Sequence, residues 1–239
     1  MKERKERRLT YLIWVMVCIS MLAMSSIAFA AVDKVICVPW QGDVNKQHTT
    51  ISGQVAQLKC VVKTTDTSTI YYKWVFGDGT PDSAVASLSG STKYNIETTH
   101  TYTAATGTPF TAQIMVDENN ALASPVIDPY LLKIEDNTLD TRINIAIDRG
   151  LWWLYKEGNN LGGYASYPRT YDGSPHMTWL QTSYVYTLAT PTASAIHAFG
   201  INGHKIKGNS DEDPYVEAVR YGMNYLMNGY NNYTYFPAL

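Results

Sequence analysis

The stretch Ile70–Phe76 (IYYKWVF) runs straight into Gly77, Asp78, Gly79, Thr80, Pro81 and Asp82, and this strand-into-turn constrains the fold more than any other feature. Trp74 and Phe76 alternate with Val75, so both aromatics share one face of an extended strand and can fill the space between two sheets. The glycines supply φ > 0, and Asp78 bonds its own backbone, so the turn is tight. Similar alternating runs recur between Val32 and Glu135. Gln57–Lys63 and Phe110–Val116 read as strong strands, and Ala121–Ala123 and Tyr130–Ile134 as weaker ones, the pattern of an all-β sandwich.

Trp74, Phe76, Gly77, Asp78 and Gly79, followed by His100 and Tyr102 and then by the Phe110–Val116 strand, resemble the PKD domain, an Ig-like β-sandwich. The match spans roughly residues 48–135. It implies a spacer or adhesion module, with these residues in structural roles. Tyr102 is expected at a sheet corner with its hydroxyl bonded to backbone, and His100 as a packed or hydrogen-bonded residue. A hard cation needs six or more oxygens, which Asp78 and Asp82 alone do not supply.

The N-terminus reads as a secretory signal over residues 1–30. Met1–Arg8 is basic, Leu12–Leu22 is apolar, and Ala28 and Ala30 sit at −3 and −1 of a cut after Ala30. An uncleaved anchor is the alternative, because the apolar run approaches the ~20 residues that span a bilayer. Without the first 30 residues the chain has 14 basic and 19 acidic residues, a formal charge of −5. Such a surface has no electrostatic footprint for nucleic acid. Cys37 and Cys60 are then the remaining cysteines, and in an exported chain they most simply form one disulfide, worth about 3 kcal/mol; two free buried thiols are the alternative. The absence of CxxC, of a His/Cys cluster and of HExxH predicts no zinc site, and neither metal nor cofactor is expected.

After Glu135, Asp136, Asn137 and Thr138 the periodicity becomes helical. Ile143, Ile147, Leu151 and Leu154 fall on one face, widened by Trp152 and Trp153, with Thr138 or Asp140 as cap and Gly158 as stop. A second helix is expected from Met177 or Trp179 through Phe199, broken or restarted near Pro191. A third follows Asp211, Glu212, Asp213 and Pro214, where acidic residues and proline suit a helix start. Residues 146–154 align without gaps to 218–226, matching Ala146 with Ala218, Gly150 with Gly222, Trp153 with Tyr225 and Leu154 with Leu226. This pattern resembles the α/α-toroid repeats of squalene cyclases and prenyltransferases.

The resemblance implies a multidomain chain: a sandwich over 31–136 followed by an all-α helical-repeat segment, a partial toroid, over 137–239. One full repeat plus one helix reads as a truncated array or an unusual short form, since arrays need about three units. The D-x-D-D motif of a toroid cyclase and the zinc ligands of a prenyltransferase are both missing. No G-x-S-x-G elbow, phosphate loop or paired carboxylates occur either, so no catalytic residue is assigned. The expected function is an exported structural or interaction protein of the envelope or extracellular space, partnered by other envelope proteins or by polysaccharide and touching membrane only through an uncleaved signal. Two alternatives stand beside it. One is a carbohydrate-binding accessory using Trp179, Tyr164 and Tyr167; the other is a remnant toroid enzyme.

Overall fold

A computed structural model describes residues 32–38, 47–159, 179 and 189–229. Its strands are β1 (Val32–Val38), β2 (His48–Ile51), β3 (Val55–Thr64), β4 (Ile70–Val75), β5 (Ala86–Leu88), β6 (Lys93–Thr101), β7 (Pro109–Asp117) and β8 (Val126–Glu135). They form a three-stranded sheet, β1-β3-β6, and a five-stranded sheet, β2-β8-β7-β4-β5. Every pairing is antiparallel except β2 with β8. Leu58, Cys60 and Val62 from β3 meet Trp74 of β4, Ile114 of β7 and Tyr130 of β8 in one core. The expected strands at 57–63, 70–76, 110–116 and 130–134 all lie within or against these elements. Ala121–Ala123 is instead a turn: Asn119 and Asp117 accept bonds from Ala121 and Ser124, and Leu122 takes a φ of 48°.

Three helices follow: α1 (Leu139–Asn159), α2 (Ala189–Ile201) and α3 (Pro214–Asn224), the last continued by a π-helical turn, Tyr225–Gly229. Thr138 caps α1 by accepting from the Thr141 N–H at 3.2 Å. Asp213 caps α3 by accepting from the Tyr215 N–H at 3.0 Å, with Pro214 in the first turn. The acidic run before Pro214 is thus helix-capping chemistry. The second helix spans Ala189–Ile201, in keeping with a restart near Pro191, and Trp179 lies outside it; residues 177–178 and 180–188 lie outside the described residues.

The expected all-α repeat segment is not what forms. Among the described residues the chain is mainly β, and its three helices do not build a toroid. The reason is the outer face of the three-stranded sheet. β3 is buried without a break from Leu58 to Val62, which requires cover on both faces. Val38 and Val61 point away from the sandwich core and join Leu151, Trp152, Tyr155, Phe199, Tyr215 and Val219 in a second core. The helices therefore pack on one another and on the outer face of a sheet, and do not stack as successive repeat pairs.

Candidate functional site

Trp74 is fully buried and meets Tyr130 edge-to-face at 6.0 Å. Phe76 stacks flat on His100 at 3.9 Å, and the Tyr102 hydroxyl donates to the Phe76 carbonyl at 3.1 Å. Gly77 has a φ of 75°, and a Cβ there would sit 2.0 Å from the Thr111 carbonyl oxygen, so a side chain is excluded twice. The turn that follows gathers three polar groups. Asp78 Oδ1 accepts from the Thr80 N–H at 3.1 Å and the Thr80 hydroxyl at 2.5 Å, and Oδ2 faces His100 Nε2 at 2.8 Å. Burial pushes the Asp78 carboxyl up, but the bonds from Thr80 and His100 outweigh it and hold it below its ordinary value.

A hydroxyl, an imidazole and a carboxylate in contact invite a catalytic reading, which the geometry answers. A proton relay needs the imidazole between the other two groups, one ring nitrogen to each. Here His100 Nε2 faces both Asp78 Oδ2 and, at 3.3 Å, Thr80 Oγ1, while Thr80 also donates directly to Asp78. The hydroxyl and the imidazole converge on one carboxylate. Such a cluster locks a turn. Asp82 is likewise engaged, accepting from Lys73 Nζ at 2.8 Å.

The more unusual chemistry lies where the helices meet the three-stranded sheet. Lys59 of β3 is 0% exposed, and its ammonium bonds Asp148 of α1. His48 Nδ1 lies 3.6 Å from the same Asp148 oxygen and edge-on to Tyr130 at 5.2 Å. Burial lowers the Lys59 pKa, partly countered by Asp148. Burial also pushes His48 down to about 4, with Asp148 opposing and Lys59 and Arg149 assisting, so the imidazole is neutral at pH 7. Arg149 donates to the Val55 carbonyl at 2.8 Å.

Two further carboxylates clamp the same face. Glu97 of β6 accepts from the Trp152 indole N–H at 2.6 Å and from Lys156 at 2.9 and 3.0 Å. Glu217 of α3 takes Lys63 and Lys93, each at 3.1 Å. Burial raises the Glu217 pKa, yet the two lysines together bring it below its ordinary value. None of Lys59, Asp148, Glu97 and Glu217 stands out in the sequence. Lys59 and Lys63, four apart in QLKCVVK, read as a solvated face, and their carboxylate partners are far away along the chain.

Trp179 is 5% exposed, its indole N–H donates to the Leu154 carbonyl at 2.6 Å, and it packs among Phe199 and the α3 residues. Its ring is part of the core, and Tyr164 and Tyr167 lie outside the described residues. Cys37 and Cys60 stand directly opposite each other on β1 and β3, both buried and both free thiols, where a disulfide was expected. The Cys37 N–H points off the sheet edge to Asp128 Oδ2 at 2.6 Å. His204, the other buried histidine among the described residues, pairs with the capping Asp213 at 2.6 Å. Among the described residues no group of three or more His, Cys, Asp or Glu is placed to hold a metal ion, and no helix is long and apolar enough to cross a membrane.

No family model matches the sequence, and no curated protein does. Solved structures similar to the chain include a CARDB domain from Pyrococcus furiosus in complex with di-metal ions, 13% identical, covering 46% of this chain and 98% of that one with a TM-score of 0.33. The PKD domain of an M14-like peptidase from a Thermoplasmatales archaeon is 12% identical, covering 38% of this chain and 88% of that one, with a TM-score of 0.29. A Niemann-Pick type C2 protein from the Japanese carpenter ant is 11% identical, covering 46% and 96%, with a TM-score of 0.28. At these values the likeness carries no inference about ligand or task.

Proposed function

We propose that the chain is an exported, non-catalytic interaction module: a two-sheet sandwich that carries a helical platform on one face. The observation that supports this reading is how its ionisable groups are used. Asp78, Glu97, Asp148 and Glu217 each spend their oxygens on neighbouring donors. They fasten a turn or a helix in place, and none of these four is left poised as an acid or base.

Export fits the basic, apolar and small-residue order of residues 1–30, and it bears on the cysteines. The Cys37 N–H is bonded to Asp128 and not to Cys60, which makes the two a non-hydrogen-bonded cross-strand pair. Such pairs hold their Cα atoms about 4.5 Å apart, inside the range a disulfide spans. Thiol–disulfide exchange with an oxidised dithiol partner outside the cytoplasm would close the bond, two electrons and two protons leaving the thiols.

The reading is tested by expressing the chain with its own N-terminus and analysing cell fractions by intact mass. The expected product lies outside the cytoplasm, begins at Ala31, is two hydrogens lighter than the dithiol, and cross-links to envelope proteins. A product kept in the cytoplasm with both thiols alkylatable would overturn the assignment of compartment. Turnover of a substrate that survives loss of Asp78 and Asp148 would overturn the non-catalytic role.

A further inference from the structure

Helix α1 is apolar on two opposite faces. One face, with Leu151, Trp152 and Tyr155, is buried on the sheet. On the other, Leu139, Ile143, Ile147 and Trp153 are 64, 45, 40 and 58% exposed, and Ala146 and Gly150 lie open between them. At 3.6 residues per turn these six positions fall in a single stripe within about 140° of the helix circumference. A surface helix normally turns charge to water on that side, so a continuous apolar stripe marks a contact surface.

The matching segment of α3 shows how such a surface is used. Ala218, Gly222 and Tyr225, which correspond to Ala146, Gly150 and Trp153, are buried. A Cβ on Gly222 would lie 2.9 Å from the Ile196 side chain of α2 and 3.1 Å from Trp179, so the glycine exists to admit a branched side chain. At Gly150 nothing lies within 4 Å. The notch is built in α1, and among the described residues nothing fills it.

We propose that this stripe is the self-association surface of the protein, occupied by α1 of a second copy in antiparallel orientation. Charge selects this occupant. Arg142 and Glu157 lie on the stripe, one near each end, and both are exposed. In an antiparallel pair each Arg142 faces the Glu157 end of the other helix, whereas a parallel pair would set like against like. The arrangement is isologous, with Ile147 of each copy entering the Gly150 notch of the other. A single helix stripe buries less than the ~800 Å² per partner of a standard interface, so the dimer is weak, with a Kd of about 10–100 μM.

Sedimentation equilibrium of the protein purified from expressing cells, across that concentration range, tests the proposal. A reversible monomer–dimer equilibrium is expected. Gly150→Leu fills the notch at a position that is open among the described residues, and should weaken dimerisation at least tenfold while leaving the far-UV melting temperature unchanged or higher, since leucine is the better helix former. R142E and E157R should each weaken it, and the double exchange R142E/E157R should restore it, a pattern specific to the antiparallel pair. A chain that stays monomeric throughout, a dimer indifferent to Gly150→Leu, or a different protein held by this stripe while self-association is missing would each overturn the proposal.

Discussion

Gly77 carries the tightest local constraint in the chain, because its φ is positive and its Cβ position is already occupied by the Thr111 carbonyl. Gly79, with a φ of 84° and open space around it, carries only the conformational half of that constraint. Gly77→Ala is therefore expected to destabilise the fold by more than about 3 kcal/mol, and Gly79→Ala by about 1–2 kcal/mol. Urea unfolding of the two variants measures the gap, and equal losses would contradict the close approach to Thr111. This turn was readable in the sequence because its determinants are local: alternating aromatics, two glycines and an aspartate within a few residues. His100 and Tyr102 were readable only through the resemblance to the PKD domain. Their partners, the Asp78 carboxylate and the Phe76 carbonyl, lie 22 and 26 positions away along the chain and were not legible before the strands were paired.

Between elements, the legible and the hidden separate differently. The caps of α1 and α3 could be read from Thr138 and Asp213, since a cap acts over three residues. The place where the helices dock could not. Lys59 looks like a solvated strand residue until Asp148, eighty-nine positions later, is laid over it. The two-sided α1 invited a repeat reading because apolar periodicity shows that a face is buried without saying against what. Lys59→Met alone leaves Asp148 without its partner and should cost about 3–5 kcal/mol. The paired change Lys59→Met with Asp148→Leu removes both charges and should recover most of that loss. Chemical denaturation of the two single variants and the double gives the coupling, and additive losses would show that the pair does not fasten α1 to β3.

For the whole molecule, the helix–sheet seam makes stability depend on acid. His48 is held near 4 in the folded chain against an ordinary 6.5. Its contribution is therefore intact above pH 6.5 and is lost as pH falls from there toward 4, because the unfolded chain takes up the proton first. The shift corresponds to at most roughly 3 kcal/mol. Glu217, held below the ordinary carboxylate value, adds a loss at lower pH still, as protonation releases Lys63 and Lys93. Stability curves between pH 7 and 4 should flatten in His48→Gln relative to the parent, and an unchanged slope would remove His48 as the source. A platform that presents the outer stripe of α1 must also keep that helix on the sandwich when the molecule is stressed. Hydrogen exchange followed by mass spectrometry in rising denaturant reads this directly. The β3 amides and those of the Leu151–Lys156 segment of α1 should lose protection together in one transition. Loss of protection in α1 at a denaturant concentration where β3 is still fully protected would contradict the claim that sandwich and helices form a single cooperative body.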